Sequence, residues 1–314
     1  MQKTQNLPFQ LGDPVEHRGI VIAPLFPTRD PSCAYATLDE ALPRGLAITE
    51  TGLDGTVPEL AVKNPLDANV LLYDGEELVG AKQNRILNVS VLVAAGSSLR
   101  IPVSCVEQGR WSSRSEGMVA ADHVSHANLR RRKAETLAAA PMSLGVAQGE
   151  VWNEVAAKAS RMDAPSPTGA NSDTFRALGA GLGELEPAFP LEPGQCGALF
   201  ALGDSLCLDW VSRSDAFVQL WPKLRRGYLL DALEALDRPA SSPEGLARFV
   251  SAVDAAGAAR QPSVGLGEDV RFRGTAVIGS GLELDGELLQ LSAFTSGPDA
   301  ARAFGRIAAP SRRR

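Results

Sequence analysis

The sequence predicts an α+β fold: a largely antiparallel, mixed sheet system with helices inserted between its strands. Three observations lead to this class. Short apolar runs rich in β-branched residues occur at the start, in the middle and near the end of the chain. Turn sequences such as Asp74-Gly75 and Asp285-Gly286 separate consecutive runs, and such short connections favour antiparallel pairing. Segments with helical periodicity lie between the β-rich parts rather than after every strand.

The chain has 314 residues, enough for one large domain or two ordinary ones. No long linker and no internal repeat divides it, so we predict a single domain over 10–300 and a C-terminal tail over 301–314. The net charge of −6 argues against a general nucleic-acid binder. Four scattered cysteines without a CxxC pair predict reduced thiols in a cytoplasmic protein. No apolar run reaches the ~18 residues of a membrane-spanning helix.

The first fifth of the chain predicts three strands, at 19–26, 46–50 and 59–63. A short helix is expected at 37–42. Thr37 is placed to cap it, and two acidic residues follow in its first turn, where the helix dipole favours negative charge.

The stretch 69–111 organises the rest of the chain and predicts three strands. A long strand is expected at 86–93, followed by a hairpin turn at 95–98 and a returning strand at 99–106. Pro102 in the returning strand predicts an edge position or a bulge, because proline cannot donate to a sheet ladder.

The chain after residue 111 predicts four helices, at 125–138, 148–162, 214–236 and 242–255. The run Arg130-Arg-Arg-Lys133 is interpreted as a solvated helix face. The polar, proline-containing segment 163–174 predicts a loop that is long enough for a lid. The glycine-rich segment 179–183 is interpreted as a helix end plus loop. Further strands are expected at 197–201, 206–211, 270–278, 281–284 and 288–294.

Polar and charged side chains are concentrated at the strand ends of 69–111. Arginine can hold a phosphate or carboxylate through paired hydrogen bonds, amides add donors and acceptors, and tryptophan can stack on a planar ring. We therefore predict as ligand-binding residues Gln83, Asn84, Arg85, Gln108, Arg110 and Trp111.

Two carboxylates in the same stretch, Glu107 and Glu76, are candidates for catalysis. An acid held beside apolar strands can be tuned for proton transfer. The same acids, together with Glu77, could instead form a structural network with Arg85 and Arg110 that closes the end of the sheet. The sequence leaves both interpretations open.

The sequence gives no support to three common kinds of site: a metal site, a phosphate-binding loop and a catalytic nucleophile. His123 and His126 have the spacing of one helix face, with Asp122 beside them, but no HExxH motif or Cys/His cluster occurs, so we predict two surface histidines, no metal site and no cofactor. No phosphate-binding glycine pattern follows a strand. No GxSxG motif occurs, and Cys105 is interpreted as a buried packing residue.

The segment 75–111 resembles the signature of the ARPP-1 domain, the ARG and rhodanese-phosphatase-superfamily-associated protein domain, a domain of unknown function. The segments HRGIVIAPLF, YATLDEAL and QGEVW are similar to other parts of its pattern. The positions that match the signature are Glu76, Gly80, Gln83, Asn84, Arg85, Pro102, Glu107, Gln108, Arg110 and Trp111. The resemblance implies association with ADP-ribosylglycohydrolase and rhodanese-phosphatase proteins, and through them a link to ADP-ribose or nucleotide metabolism.

The leading hypothesis is a ligand-binding or accessory domain that recognises an ADP-ribose-like or nucleotide-derived molecule. One alternative is a metal-free hydrolase of an ADP-ribosyl or phosphoester substrate, with Glu107 or Glu76 as general base. The other is a structural module with a buried ion-pair network that binds a protein partner. The expected partners are thus a nucleotide-derived small molecule or a protein, and neither nucleic acid nor a membrane. Whether Arg85, Glu107 and Arg110 line a pocket or are buried against one another discriminates between these hypotheses.

Overall fold

Eighteen strands and seven α-helices are formed by the residues that the computed structural model describes, which are 7–52, 55–139 and 148–296. The strands are β1 Phe9–Leu11, β2 Val15–His17, β3 Ile20–Pro27, β4 Ala36–Thr37, β5 Ala47–Glu50, β6 Glu59–Lys63, β7 Val70–Leu72, β8 Glu76–Gly80, β9 Arg85–Leu87, β10 Val91–Val93, β11 Ser98–Cys105, β12 Met118–Val124, β13 Gly197–Leu202, β14 Ser205–Val211, β15 Gly257–Pro262, β16 Glu268–Arg273, β17 Val277–Leu284 and β18 Glu287–Thr295. The helices are α1 Leu38–Ala41, α2 Ala127–Ala139, α3 Gln148–Arg161, α4 Asn171–Ala177, α5 Gly179–Leu185, α6 Ser214–Ala232 and α7 Pro243–Asp254. The predicted tail over 301–314 lies outside the described residues, and the single domain over 10–300 stays a prediction.

The strands form three sheets. A nine-stranded sheet has the order β1-β3-β13-β14-β18-β17-β16-β15, with β2 also paired to β3. A six-stranded sheet has the order β12-β8-β9-β11-β6-β5, and a three-stranded sheet the order β10-β7-β4. Every strand pair is antiparallel except β4 with β7. The predicted α+β class with a largely antiparallel sheet system is therefore confirmed.

Both faces of the nine-stranded sheet are covered, because successive side chains of a strand point to opposite sides. In β3, Ile20 and Ile22 join a core that includes Phe217 of α6. The intervening Val21 joins the opposite core, which includes Phe249 of α7. A third core lies inside the six-stranded and three-stranded sheets and takes in the apolar residues of α1. Strands buried on both faces explain why so many of them are apolar runs without alternation.

Local sequence signals correctly predicted the positions of several helices. Thr37 caps α1 in a capping box with Glu40, and the Ser242 side chain accepts a hydrogen bond from Gly245 N–H at the start of α7. The predicted helices near 148–162 and 214–236 form α3 and α6. Pro222 lies inside α6.

The central stretch 69–111 contains five strands, so the prediction of three was wrong. The predicted strand 86–93 is divided between β9 in the six-stranded sheet and β10 in the three-stranded sheet. The chain bends between them, where Asn88 N–H donates to the carbonyl of Pro102 and the Ser90 hydroxyl accepts from Asp74 N–H. The predicted hairpin at 95–98 is also wrong, since β10 pairs with β7 and β11 pairs with β6 and β9. At Pro102 the hydrogen-bonding partner of β11 changes from β6 to β9.

Three further predictions need correction. Segment 179–183 lies within α5 rather than in a loop, and the strand predicted over 270–278 is divided between β16 and β17. The run from Arg130 to Lys133 is not a solvated face, because Arg130, Arg131 and Lys133 are all buried. Each of the three pairs with a carboxylate: Arg130 with Asp209, Arg131 with Glu135 and Lys133 with Asp74.

The pair between Arg130 and Asp209 connects α2 to the centre of the nine-stranded sheet. Arg130 donates from both terminal nitrogens to the Asp209 carboxylate, and the Nη1 bond measures 2.9 Å. The hydroxyl groups of Tyr73, Tyr228 and Ser292 also donate to this carboxylate. Burial raises the pKa of Asp209, but the guanidinium and these hydrogen bonds outweigh it, so the pKa lies below its ordinary value.

We expect Arg130→Met to lower the free energy of unfolding by about 3–5 kcal/mol, because it leaves a buried carboxylate without its cation. Urea denaturation followed by circular dichroism measures this loss. Arg100→Met is the matched control, since the Arg100 side chain is 68% exposed and pairs with an exposed Glu59. The control should lose at most about 1 kcal/mol. Equal losses in the two variants would contradict the prediction.

Candidate functional site

The polar residues predicted in 69–111 divide into a buried group and an exposed group. Gln108 and Trp111 are exposed, Trp111 to 48%. The buried residues are Glu76, Glu77, Gln83, Asn84, Arg85, Glu107 and Arg110. Arg85, Glu107 and Arg110 are therefore buried near one another rather than exposed at the wall of a pocket.

Glu107 is the centre of the buried group and follows the end of β11. Its Oε2 accepts hydrogen bonds from Arg110 Nη2 at 2.6 Å and from Asn84 N–H at 3.1 Å, and its Oε1 accepts one from the Thr168 hydroxyl at 2.9 Å. Burial raises the pKa of Glu107, but these hydrogen bonds outweigh it and the pKa lies below its ordinary value. The carboxylate is thus ionised at neutral pH and is a weak proton acceptor.

Glu77 organises a second set of contacts beside the first. Its Oε2 lies 2.9 Å from His123 Nε2 and accepts from Asn171 Nδ2 at 2.7 Å. Asp122 lies on the other side of the imidazole, 3.0 Å from Nδ1, and the ring stacks on Phe175 with centroids 3.7 Å apart. Burial lowers the pKa of His123, but the charge of Glu77 and the hydrogen bonds to both carboxylates outweigh it and raise the pKa.

Arg85 is fully buried. Its Nη1 donates to Gln83 Oε1 at 3.1 Å, and its Nη2 lies 4.0 Å from Glu50 Oε1. The Trp111 ring lies 5.6 Å from the guanidinium carbon, a cation–π distance. The guanidinium is therefore enclosed, and of these two side chains only Trp111 has surface that is accessible to a ligand.

Glu76 is not brought together with Glu107. It lies 3.1 Å from Lys223 of α6, and its other oxygen accepts from Tyr73 N–H at 2.9 Å. Burial raises the pKa of Glu76, against the opposing effect of Lys223. The two carboxylates that the sequence grouped together therefore have separate partners.

A cavity of about 420 Å³ lies beside the Glu107 network. The segment between α3 and α4 forms one wall, held by a hydrogen bond of 2.7 Å from Gly109 N–H to the Thr168 carbonyl. A Cβ at Gly109 would lie 3.0 Å from Thr168 backbone atoms, so glycine permits this close approach. The lining residues are Val79, Asn84, Arg114, Pro165, Pro167, Thr168, Ala170, Ser172, Asp173, Arg176 and Ala177.

The two terminal residues of this hydrogen-bond network, Ser172 and Thr168, both line the cavity. Ser172 Oγ accepts from Asn84 Nδ2 at 3.1 Å, and Asn84 Oδ1 accepts from Arg110 Nη2 at 3.1 Å. Arg110 then donates to Glu107, which accepts from Thr168. The buried charges thus fix the side chains that a ligand in the cavity would meet.

Sequence reasoning missed all of the lining residues except Asn84, including four whose side chains could bind a ligand: Arg114, Thr168, Ser172 and Arg176. Three of them lie in or just after the segment 163–174, whose length and polarity predicted a lid. The length and polarity of 163–174 identified the segment, but they did not indicate which part of the protein surface it covers. Of the predicted ligand-binding residues, Asn84 is the one that lines this cavity.

The histidines differ from the prediction. His123 lies on β12 rather than on a helix, and both His123 and His126 are buried, so the prediction of surface histidines was wrong. Within the described ranges, no group of three or more His, Cys, Asp or Glu side chains is arranged to hold a metal ion. Cys105 is buried, as predicted, with its Sγ 2.9 Å from Gln83 Oε1.

A family model described as the ARG and Rhodanese-Phosphatase-superfamily-associated Protein domain, ARPP-1, matches residues 8–294. This chain belongs to the ARPP-1 family. The family match confirms the predicted resemblance and covers nearly the whole chain. The family name records association with other enzymes and suits an accessory domain. Neither curated proteins nor solved structures gave a match.

In the part of this ARPP-1 chain that the structure describes, no helix is long and apolar enough to cross a membrane.

We expect His123 to make the stability of this ARPP-1 chain depend on pH. A histidine whose pKa is raised by folding stabilises the folded state below its unfolded pKa of about 6.5, and the contribution is lost as pH rises through the folded pKa. The free energy of unfolding of the unsubstituted protein, minus that of His123→Gln, should therefore fall between pH 6 and pH 9. Urea denaturation at each pH measures it.

The exposed His17 provides the control, since His17→Gln should follow the unsubstituted protein over the same pH range. A difference between the unsubstituted protein and His123→Gln that stays constant or grows with pH would show that folding does not raise the pKa of His123.

Proposed function

We propose that this ARPP-1 chain is an accessory binding module that holds an anionic, nucleotide-derived molecule of the ADP-ribose kind in the cavity beside Glu107. The observation that carries the proposal is the pair of exposed arginines, Arg114 and Arg176, on one concave lining with hydroxyl and amide groups. The volume of about 420 Å³ lies in the range of small-molecule sites.

The charges of the lining favour an anion. The side chains of Arg114 and Arg176 are 61% and 76% exposed, and Asp173 is the one acidic residue of the lining. Asp173 pairs with Arg176 at 2.5 Å, and Arg114 lies 3.8 Å from Glu107 Oε1. Both arginines keep exposed surface that could bind phosphate oxygens, for which the guanidinium fork is well matched.

Neutral groups supply the remaining recognition. Asn84, Thr168 and Ser172 line the cavity, and their side chains can bind ribose hydroxyls or phosphate oxygens. Pro165 and Pro167 give the lining an apolar part. The sugar-phosphate portion of the ligand is therefore better matched than its base, because no aromatic side chain belongs to this lining.

The buried ion pairs have a supporting role in this proposal. Glu107 and Arg110 hold Asn84 and Thr168 in place, so they shape the cavity without contacting the ligand. This combines the ligand-binding hypothesis with the structural-network hypothesis. The cavity gives no comparable support to the hydrolase alternative. Glu107 is a weak base, and Glu76 is buried against Lys223.

We expect isothermal titration calorimetry to detect binding of ADP-ribose, and ribose 5-phosphate to compete for the same site. Arg114→Ala and Arg176→Ala should each weaken ADP-ribose binding by about ten-fold or more, because each removes charged hydrogen-bond donors from the lining.

Arg100→Ala is the control, because Arg100 is an exposed arginine of β11 that does not line the cavity. Its affinity should equal that of the unsubstituted protein. Absence of ADP-ribose binding, or equal affinities in the two cavity variants and the control, would refute the proposal. Release of a product during titration would favour the hydrolase instead.

A further inference from the structure

Glu77 and His123 lie directly behind the wall of the cavity beside Glu107. Glu77 Oε2 is 2.9 Å from His123 Nε2, and neither side chain is more than 2% exposed. The other carboxylate oxygen, Oε1, accepts a hydrogen bond of 3.5 Å from Asn84 Nδ2. Asn84 lines the cavity, so a ligand that contacts Asn84 is separated from the Glu77 carboxylate by this one side chain.

Glu77 depends on His123 for a compensating charge. Among the residues that the structure describes, His123 is the only ion-pair partner of Glu77. The other side-chain groups that contact the carboxylate are the amides of Asn84 and Asn171, which are neutral. A buried carboxylate whose partner loses its charge keeps a net negative charge in a medium that screens it poorly. The protonation state of His123 therefore sets the charge behind the cavity wall.

The other charged groups around His123 have partners that do not change. Asp122, on the opposite side of the imidazole, lies 3.0 Å from Arg226 of α6, and a guanidinium keeps its charge at every relevant pH. The face of the ring stacks on Phe175 of α4, which is neutral. Nearby charged side chains of α4, α6, β5 and β8 are paired as well: Asp173 with Arg176, Glu186 with Arg225, Glu50 with Arg85 and Glu76 with Lys223.

The second buried histidine, His126, is not connected to the cavity in this way. It lies 3.5 Å from Glu154, which also pairs with Arg132 and Arg161 and so keeps cations whatever the state of the imidazole. Neither His126 nor Glu154 lines the cavity. His123 is thus the histidine whose proton changes the charge next to the lining.

We propose that the proton of His123 controls anion binding in the cavity beside Glu107: with the proton, His123 cancels the charge of Glu77, and without it that charge repels the anion. The inference rests on the proposed function, since it concerns the same cavity and the same kind of ligand. The lining holds two arginines and one aspartate, so one further negative charge behind it reduces most of the attraction. By reciprocity, a bound anion favours the protonated imidazole, and binding takes up protons.

ADP-ribose is the suitable probe, because each of its phosphates has a single ionisable proton that is lost in strong acid. Its charge is therefore constant over the pH range of the experiment. Burial lowers the pKa of His123, but Glu77 and the hydrogen bonds to both carboxylates raise it above the ordinary value of 6.5. We expect the dissociation constant of ADP-ribose to rise about five-fold between pH 6 and pH 9, as measured by isothermal titration calorimetry.

Calorimetry in two buffers with different ionisation enthalpies measures the protons exchanged. The unsubstituted protein should take up protons on binding at the pH where the affinity falls. His123→Gln should show neither proton uptake nor a fall, and should bind weakly at every pH. His17→Gln is the control and should keep both effects, because His17 is exposed and does not line the cavity.

A double variant separates the effect of charge from a structural effect. Glu77→Gln combined with His123→Gln removes both charges, and the two amides can replace the hydrogen bond between the original pair. The double variant should bind ADP-ribose more tightly than His123→Gln alone and without dependence on pH. A structural role of the pair predicts the reverse, because a second substitution would damage the wall further. Circular dichroism at pH 6 and pH 9 checks that the variants are folded.

The outcomes also separate this inference from the proposed function. Absence of ADP-ribose binding at every pH would overturn both. Binding with an affinity that does not fall between pH 6 and pH 9 would overturn only the role of His123. The same holds for a fall that persists in His123→Gln, or for a double variant that binds no more tightly than His123→Gln.

Discussion

A charged group that leaves water costs free energy unless an opposite charge and hydrogen bonds compensate it, and this constraint connects the main elements of the molecule. The pair of Arg130 with Asp209 is its clearest case. Arg130 comes from α2 and Asp209 from the middle of the nine-stranded sheet. Tyr73, which directly follows β7 of the three-stranded sheet, donates to the same carboxylate. One ion pair with its hydrogen bonds therefore connects a helix and two sheets, and a wrong arrangement of these elements would leave a buried charge unpaired.

The same constraint explains how the candidate site is built. Glu107 and Glu77 are buried, so each is surrounded by donors, and those donors belong to different segments of the chain. The result is a hydrogen-bonded wall that presents Asn84, Thr168 and Ser172 to the cavity. Arg114 and Arg176 lie at the open side and stay exposed. Hydrogen-bonded neutral groups beside exposed cations suit the anion binding that we propose for this cavity.

The predictions that succeeded depended on neighbours in sequence. A cap and its helix lie within a few residues of each other, so Thr37 and Ser242 marked α1 and α7 correctly. The predictions that failed depended on contacts between distant residues. The run at Arg130 resembles a solvated helix face unless Asp209 is known to lie opposite. His123 resembles a surface residue unless Glu77 and Phe175 are known to enclose it.

The sequence by itself determined the α+β class, the family and most helix positions, because these follow from local periodicity, caps and a long signature. Only the tertiary structure decided which polar residues face a cavity and which are buried. A strand places alternate side chains on opposite faces, but the element that covers each face comes from elsewhere in the chain. Thus Arg85 became enclosed beneath Trp111, while Arg114 and Arg176, which no motif indicated, came together at the cavity.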